Sequence, residues 1–560
     1  MNKNSILAFV IIFALILIWS YFGGLNITGK PQSPAQKKTV VADEKESKKS
    51  EAKKEEIKKE KKTELVEADT SKAINKKKAV TEEIEVKTDL WTAVLSNKGG
   101  IIYSYKLNKY KVADKDIPVE LRGNIAIVSK KGDENDKETV YEISREGDIE
   151  KDHLKITFTD SQRNIQKIYT FYRGKYHFSL EIKAPAEYEY QVLNRGSMDF
   201  AEKMHDQEIQ NTYFYSYYQA GNYDYFSLSD FKKKYQEEFN QLKWLAFRTK
   251  YFLTVMEVSH TQNLPGSVSV READLSPITN NDELAKIAQS VLTPYTLGFV
   301  ASGVSQFKIF MGPADYNLLK KDYGEWYKVI DFGWPVIRNI SPYLLKFMEF
   351  LYSFIPHYGW VIIIFSILMK FAFYPLTHKS MKSMAQMKEV QPKIDALKER
   401  YKNDPKKMQE ETFKLYKEHG FNPMGGCLPL FVQMPVFFAL YRVLSSSIEL
   451  RQAGFLWIKD LSSPDILFNF GVTLPLVGSE FHLLPLLMGL TMFWQQKMTI
   501  TDPKQKMMVY FMPVFMTFIF YSIPSGLVLY WFVNSILSLG EQYISEWRKK
   551  NKVEENEMNQ

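Results

Sequence analysis

The chain has 560 residues, a net charge of +8 and one cysteine, Cys427. This length exceeds that of one ordinary domain, so we expect at least two folded parts, and so small a charge does not by itself indicate a nucleic-acid partner. A single cysteine excludes an intrachain disulfide and a cysteine-based zinc site, and its position far from the N-terminus argues against a lipid-modified signal peptide.

The first predicted element is an apolar helix over residues 6–22, which read ILAFVIIFALILIWSYF and follow Lys3. At about 1.5 Å per residue, a helix of this length spans a bilayer with slight thinning or tilt. We interpret residues 1–25 as an uncleaved signal anchor with its N-terminus inside, because no clear small-x-small cleavage site follows the run. A cleaved signal peptide, with Gly23-Gly24 as a weak cleavage site, is the alternative.

The segment of residues 26–87 is dominated by lysine and glutamate, as in KEEIKKEKKTELVEADTSK. Its apolar residues are too sparse to form a core, so we expect a charged, flexible and solvated tether.

Residues 88–340 show a period of two, as in HLKITFTD and QKIYTFYRGKYHFSLEIKA, with turn signals between such runs. This pattern predicts a large antiparallel β-sandwich, which lies outside the cytoplasm if the first helix runs from inside to outside. Because large β-sandwiches often bind carbohydrate, a sugar-binding or sugar-converting domain is an alternative function. Sugar conversion needs a catalytic His–Glu pair, for which His153, His177, His205 and His260 are candidates.

Residues 341–356 predict an amphipathic helix that can lie flat in the bilayer interface. A packed linker helix is the alternative. One predicted face carries Leu344, Phe347, Met348, Leu351 and Phe354, and the other carries Lys346, Glu349 and Ser353.

Residues 357–545 predict a bundle of five membrane-spanning helices. Several segments are short or interrupted by proline, which fits helices buried against each other better than single spans exposed to lipid. The predicted segments are residues 360–376, 428–444, 482–497, 507–523 and 527–543.

The distribution of basic residues predicts the orientation. The loop of residues 377–426 carries eleven Lys and Arg, the loop of residues 445–481 carries two, and the tail of residues 546–560 contains RKKNK. The positive-inside rule then places both termini in the cytoplasm and the β-domain outside it.

The basic loop of residues 377–426 predicts a helical hairpin with a turn at Asn403-Asp404-Pro405. Pro392 is expected to kink or restart its first arm. A partner-binding role is favoured over that of a solvated connector, because the seam is regular. The seam consists of Met387, Val390, Ile394, Leu397 and Tyr401, and the expected partner-binding residues are Lys388, Lys393, Lys398, Arg400, Lys406 and Lys407.

Motifs of covalent catalysis are absent from the sequence, which contains no GxxxxGK[ST] phosphate loop, no HExxH and no G-x-S-x-G. We therefore expect neither ATP hydrolysis nor metalloprotease or serine-hydrolase chemistry. Cys427, in GGCLP, is interpreted as a small apolar residue at a helix start rather than a nucleophile. The chain is expected to be no enzyme and to need no cofactor or metal.

Lys370 lies within the apolar run VIIIFSILMKFAFYPL. A lone ammonium there costs about 2.5 to 3.5 kcal/mol, so we expect it to face water or a partner, with snorkelling to the headgroups as the alternative. Each of the other predicted spans also carries a polar stripe. The stripes are Ser366, Lys370 and Tyr374; Gln433 and Tyr441; Thr491 and Gln495; Thr517 and Tyr521; and Tyr530, Asn534 and Ser538.

Together these stripes predict a hydrated groove lined by all five helices. Because the apolar cores of the segments hold no acidic residue, we expect no carboxylate to neutralise Lys370, which makes the groove positive. A channel or transporter that uses the lysine as an anion site is an alternative function, although coupling to protons or cations usually needs membrane carboxylates.

Four stretches of the sequence resemble the YidC-type membrane protein insertases, relatives of the mitochondrial oxidase-assembly and thylakoid insertases. The resemblance covers the whole bundle with its hairpin, while the anchor, tether and β-domain resemble the long form of bacteria with two membranes by arrangement more than by motif. The stretches are FYPLTHKSMKSMAQMKEVQPKIDALKERY, NPMGGCLPLFVQMPVFFALYRVLSSSIELRQAGFLWIKDLS, MTITDPKQKMMVYFMPVFM and IPSGLVLYWFVNS.

The resemblance implies roles for particular residues. Lys370 stands where the family has an arginine, which keeps the charge but loses bidentate recognition of a carboxylate. Ser366 matches the family's groove threonine, and Tyr530-Trp531 matches a tyrosine pair on which substrates slide.

The resemblance also implies an inner-membrane protein with a periplasmic β-domain. Nascent integral membrane proteins would enter its groove and pass into the lipid bilayer without covalent chemistry. The implied partners are the Sec translocon with its accessory subunits, and the ribosome or the signal-recognition receptor at the cytoplasmic loops.

Overall fold

The computed structural model describes most of the chain beyond residue 80. The predicted anchor of residues 1–25, nearly all of the predicted tether, Cys427, His205 and His260 lie outside the described residues. The described ranges are residues 81–113, 115–130, 139–199, 202, 211–227, 235–259, 265–270, 292–418, 428–474, 478–499 and 506–558.

The N-terminal described part consists of β-strands whose pairings are antiparallel. In the segment WTAVLS, every second side chain is buried, as the period of two predicts. The strands are β1 (Glu83–Lys87), β2 (Trp91–Ser96), β3 (Ile101–Lys111), β4 (Pro118–Lys130), β5 (Glu142–Gly147), β6 (His153–Asp160), β7 (Ile165–Tyr172), β8 (His177–Lys183), β9 (Glu189–Asp199), β10 (Tyr213–Tyr218), β11 (Tyr223–Ser227), β12 (Tyr235–Phe239), β13 (Leu242–Arg248), β14 (Phe252–Ser259), β15 (Gly266–Val270), β16 (Leu292–Ser302) and β17 (Val304–Pro313).

These strands form two sheets that share one core. The first has the order β1-β2-β3-β4-β9-β16-β15-β12, and the second has the order β11-β10-β13-β14-β17-β8-β7-β6-β5. Trp91 joins the sheets, since its ring lies 5.1 Å from Tyr105 in the first sheet and 5.4 Å from Phe171 in the second. The predicted antiparallel β-domain is confirmed, and its first strand begins at Glu83 rather than at residue 88.

The C-terminal described part is helical. Each of the five predicted spans corresponds to one helix. The bounds agree within a few residues, except that α3 and α8 extend well beyond the C-terminal ends of their predicted spans. The helices are α1 (Tyr316–Asp322), α2 (Pro335–Phe354), α3 (Tyr358–Arg400), α4 (Pro405–Glu418), α5 (Leu428–Ser446), α6 (Leu483–Thr499), α7 (Lys506–Phe520) and α8 (Ser525–Met558), with 3-10 turns at Gly324–Val329 and Ile448–Leu450 and a hairpin of β18 (Phe468–Leu474) and β19 (Gly478–Phe481).

Two helices of the described part stand out for their apolar character. Tyr358–Ser380 within α3 is long and apolar enough to cross a bilayer, and Val509–Phe520 within α7 is a shorter apolar helix. Helix α8 packs against α6 and α3, and α5 packs against α2. That all five predicted segments cross a membrane stays a prediction.

Helix α2 differs from the predicted interfacial helix in its start and in its faces. It begins at Pro335, where the fixed φ of proline suits the first helical turn. The predicted single apolar face is wrong, because Met348 is fully buried whereas Phe354 is 70% exposed. Two apolar stripes replace it, one buried (Ile337, Leu345 and Met348) and one exposed (Tyr343, Phe347, Phe350 and Phe354).

The predicted helical hairpin is present as the end of α3 followed by α4. Its turn follows Tyr401, and Asp404 caps α4 by accepting a hydrogen bond from the Lys407 N–H at 3.1 Å. Val390 and Ile394 of the predicted seam are buried. Helix α3 continues through Pro392 as one helix of 43 residues, so the proline does not restart the arm, and a kink there stays a prediction.

Arg451 joins the β-domain to the helical part. Its Nε donates to Glu202 Oε1 at 2.5 Å, and its Nη2 donates to the Lys111 carbonyl at 2.6 Å. The side chains of Arg451 and Glu202 are 2% and 6% exposed. Removing one partner of such a buried pair would leave the other charge uncompensated, so this contact fixes the loop after α5 against β3.

Glu449, in the 3-10 turn before Arg451, is a buried carboxyl at the same junction. Burial, together with repulsion from the nearby carboxylates of Asp315 and Glu349, raises its pKa to about 8. Glu349 lies on α2 and Asp315 caps α1, so three elements bring acidic groups together here. The neutral form of Glu449 is therefore the one that the fold favours.

This raised pKa predicts a pH-dependent stability. Between the ordinary pKa of a glutamate and about 8, the folded state holds a proton that the unfolded state has released, so stability falls as the pH rises through this window. Thermal unfolding of the purified protein, followed by tryptophan fluorescence, should show wild type losing Tm relative to Glu449→Gln between pH 6 and pH 8.5. A Tm difference that stays constant over this range would contradict the assignment.

Candidate functional site

Lys370 contacts helix α8 through its ammonium group. Its Nζ donates to Ser538 Oγ at 2.8 Å and lies 3.0 Å from Glu541 Oε2. Ser538 and Glu541 are three residues apart and therefore share one face of α8. Both charged side chains are largely buried, with 16% and 17% exposure. The charge in the middle of α3 is thus part of an ion pair within the helical part of the chain.

The expectation that no carboxylate neutralises Lys370 is wrong. Helix α8 continues without a break to Met558, so Glu541 lies one turn beyond Ser538 and just past the apolar core of its helix. The snorkelling alternative does not describe this contact, because α8 holds the amine. The pair also weakens the case for an anion channel, since the site has no net charge while it is closed.

A second polar contact, nearer the start of α8, joins this helix to α5. Gln433 Nε2 donates to Tyr530 Oη at 3.0 Å, and Asn534 Nδ2 donates to the Tyr530 carbonyl at 3.2 Å. The ring of Tyr530 lies 6.0 Å from that of Phe365 on α3. Three helices therefore meet around this tyrosine.

The role of Tyr530 and Trp531 as a sliding surface stays a prediction, and both side chains are packed in this conformation. Tyr530 is 0% exposed, so its ring is closed off from any passing chain in this conformation. Trp531 is partly buried and packs against Phe437 and Phe520 at ring distances of 5.2 and 5.5 Å. The two side chains fill the helix contacts rather than lining an open face.

Two hydroxyl groups of the predicted groove form hydrogen bonds within their own helices. Ser366 is buried and donates to the Ile362 carbonyl at 2.7 Å, and Thr491 donates to the Met488 carbonyl at 2.7 Å. Gln495 is half-buried on α6. The structure thus joins Lys370 to α8 and Gln433 to Tyr530, while a groove shared by all five helices stays a prediction.

Helices α6 and α7 approach closely at Gly489. A Cβ atom at this position would lie 1.9 Å from Thr517 Oγ1, so only glycine fits without a shift. Thr517 also contacts the Pro485 carbonyl at 3.4 Å. No sequence pattern singles out this glycine, because its constraint comes from the neighbouring helix.

The predicted basic residues of the hairpin have different surroundings. Lys393 and Arg400 line a groove between α3 and α4 together with Glu411 and Lys414. Lys398 donates to Asp395 Oδ1 at 3.0 Å. Lys406 and Lys407 are exposed, and the side chain of Lys388 lies outside the described part of the chain. The two exposed lysines and Phe413, which is 56% exposed, are accessible to a partner.

The histidines considered for sugar conversion have structural surroundings where they are described. His177 hydrogen-bonds to Tyr323 Oη at 3.2 Å and stacks on Tyr172, and burial lowers its pKa to about 4. His153 is half-exposed beside Asp152 at the edge of β6. Packing explains the position of His177 without any catalytic role.

Two family models match the chain, one for each folded part. Residues 350–552 match the model described as 60Kd inner membrane protein, and residues 83–344 match the model described as YidC periplasmic domain. The ranges meet at α2, where the β-sheets give way to helices.

Curated relatives are similar over nearly the whole chain. The membrane protein insertase YidC of Chlorobaculum tepidum is 32% identical over 575 residues, covering 97% of this chain and 94% of that protein. The YidC of Syntrophus aciditrophicus is 33% identical over 583 residues, covering 97% and 99%. A crystal structure of an active YidC insertase with its first transmembrane domain resolved is 21% identical and covers 82% of this chain and 92% of that one, with a TM-score of 0.37.

The Lys370–Glu541 pair predicts energetic coupling between the two residues. Lys370→Met should lower the Tm because it leaves the largely buried Glu541 without its cation, and adding Glu541→Gln should recover part of the loss. A double-mutant cycle on purified protein in nanodiscs should give a coupling of about 1 to 3 kcal/mol.

A matched cycle pairs Lys497→Met with Glu541→Gln, because Lys497 is an exposed lysine on α6. The effects of these two substitutions on stability should be additive, because the two residues are not expected to interact. Simple additivity of the Lys370 and Glu541 variants as well would show that the pair does not form.

Proposed function

The chain belongs to the YidC family of membrane protein insertases, and we propose that it inserts incoming membrane proteins by exchanging the internal counter-ion of Lys370 for an acidic group of the substrate. Family members are inner-membrane proteins with a periplasmic domain, and they are insertases rather than enzymes. The observation that carries the mechanism is the Lys370–Glu541 ion pair, 3.0 Å between Nζ and Oε2.

In the proposed topology, the anchor of residues 1–25 and helices α3, α5, α6, α7 and α8 cross the inner membrane. Both termini and the helical hairpin then lie in the cytoplasm, and the β-domain lies in the periplasm. The contrast of eleven against two basic residues in the loops of residues 377–426 and 445–481 supports this orientation.

The first step is the entry of a short, acidic extracytoplasmic segment of the substrate from the cytoplasmic side. Glu541 lies beyond the apolar core of α8, so it can turn toward water as the substrate carboxylate approaches Lys370. The ammonium passes from one carboxylate to another and is never left alone in a low-dielectric site, which avoids the cost of an unpaired charge.

A lysine suits such an exchange. Its compact ammonium on a flexible stem binds one carboxylate as a point charge, whereas an arginine holds a carboxylate by two parallel hydrogen bonds. Ser538 keeps one donor of Lys370 occupied at 2.8 Å and so orients the amine during the exchange. The arginine that the family resemblance implies at this position would hold Glu541 more firmly.

The second step opens the contacts around Tyr530. Displacing Tyr530 from Gln433 frees polar groups on α5 and α8, which together with Ser366, Thr491, Gln495 and Asn534 line the proposed hydrated groove. The apolar segment of the substrate then passes the rings of Tyr530 and Trp531 into lipid. Partition drives this step at about 25 cal/mol per Å² of apolar area removed from water.

The hairpin of α3 and α4 is the proposed site for receiving substrate. Its exposed Lys406, Lys407 and Phe413 offer charge and one apolar side chain to a ribosome or a signal-recognition receptor. Cooperation with the Sec translocon and its accessory subunits is proposed from the family resemblance.

Charge reversal tests the exchange. In proteoliposomes, Lys370→Glu should reduce insertion of a substrate with an acidic translocated tail by roughly tenfold or more, because two carboxylates then repel the tail. Lys370→Arg should preserve insertion, and a substrate with a neutral tail should respond weakly to either change. Full activity of Lys370→Glu on the acidic tail would refute the electrostatic step.

Removal of the counter-ion alone gives a separate test. Glu541→Gln keeps the Lys370 cation and removes the carboxylate that competes with the substrate for it. Insertion of the acidic tail should therefore be retained or increased at equal amounts of protein. If Glu541→Gln abolishes insertion as completely as Lys370→Glu does, Glu541 takes part in more than counter-ion exchange and the proposed step is wrong.

A further inference from the structure

The strands β18 and β19 form a hairpin between α5 and α6 that the sequence reasoning did not anticipate. Phe468 pairs directly with Phe481 across the strands, and the next pair is Asn469 with Glu480. Because neighbouring residues of a strand point to opposite faces, the phenylalanine pair lies on one face and the polar pair on the other. The hairpin is therefore amphipathic.

The apolar face of this hairpin is accessible. The rings of Phe468 and Phe481 stack at 4.8 Å, and Phe470 joins them at 5.3 Å from Phe468. Phe468 is 48% exposed and Val472 is 63% exposed. Residues 466–479 contain no Lys, Arg, Asp or Glu. An exposed cluster of apolar side chains in a segment without charged residues marks a contact site.

The base of the hairpin is fixed to the ends of two helices. Asp465 Oδ2 accepts from the Leu484 N–H at 2.7 Å, which caps the start of α6. Tyr521, just after α7, donates from Oη to the Glu480 carbonyl at 2.8 Å. The hairpin therefore stands where α6 begins and α7 ends, which is the periplasmic surface of the membrane in the proposed topology.

We propose that this hairpin lies in the outer leaflet of the inner membrane, with Phe468, Phe470 and Val472 against acyl chains just below the headgroups. The inference rests on the proposed topology. The exposed stripe Leu486, Leu490 and Trp494 of α6 follows directly in the chain and is the kind of surface that a bilayer covers. Acyl chains require only an apolar contact surface, whereas the surface that binds a protein partner usually combines apolar and polar groups.

This placement gives the periplasmic end of the bundle an anchor in the lipid. The polar face, with Asn469 and Glu480, then faces the headgroups and water, which matches the amphipathic character of an element at an interface. The periplasmic ends of α6 and α7 are then held at a fixed depth in the membrane by apolar contacts rather than by charges.

Fluorescent labels at single cysteines test the proposal in the full-length protein. With Cys427→Ser as background, an environment-sensitive fluorophore is attached at Val472→Cys, an exposed apolar position of β18, or at Asn469→Cys on the polar face. The protein is reconstituted in vesicles without spin-labelled lipid, with lipid that carries a spin label near the headgroup, or with lipid that carries a spin label deep in the acyl chain, which reaches the middle of a span. The label at position 472 should shift to the blue and lose intensity with the lipid that is spin-labelled near the headgroup, while the label at position 469 should change little.

A label at Val514→Cys is the control, because this exposed residue of α7 lies in a proposed membrane span. Quenching at 514 without quenching at 472 overturns the hairpin proposal and leaves the topology standing. A blue-shifted but unquenched label at 472 means that a protein surface covers the face, which also overturns it. Absence of quenching at 514 overturns the topology and the hairpin placement together.

Discussion

An ammonium group in the middle of an apolar helix must be paired, and the packing of α3 against α8 satisfies this requirement. Lys370 meets Ser538 and Glu541 on one face of α8. The same two helices meet again where Phe365 packs against Tyr530. Two contacts along one helix pair fix its register, and the second one also sets Gln433 of α5 against Tyr530. A charge that is costly on its own thereby organises three helices of the bundle.

The pair also determines how the site can act. A closed, neutral site does not attract anions from a distance, and in the proposed mechanism it exposes its charge only when a competing carboxylate arrives. Burial of Tyr530 fits this description, since the passage beside it is closed by its contacts with Phe365 and Gln433. At the opposite end of the bundle, Arg451 and Glu202 hold the β-domain to the loop after α5.

Regular patterns in the sequence predicted most of the architecture, because burial imposes its period on strands and helices alike. Alternation located the strands, and long apolar runs located α3, α5, α6, α7 and α8 within a few residues. Glu541 was missed although it lies within the predicted span of residues 527–543, because the expectation considered only the apolar core of that span, which ends before this residue. The two faces of α2 and the burial of Tyr530 depend on neighbours that are distant in sequence. The β18–β19 hairpin did carry a signal, the alternation in LFNFGVTL, but no strand was predicted within the loop of residues 445–481.

Photocrosslinking of a nascent chain to the site of Lys370 tests the central claim most directly. A photoreactive amino acid placed at Ser538, beside the amine, should crosslink to the tail of an arrested substrate when that tail is acidic and far less when the acidic residues are replaced by their amides. A photoreactive group at Val514, on the exposed side of α7, should not distinguish the two tails. Equal crosslinking of acidic and neutral tails at position 538 would contradict the exchange of Glu541 for a substrate carboxylate.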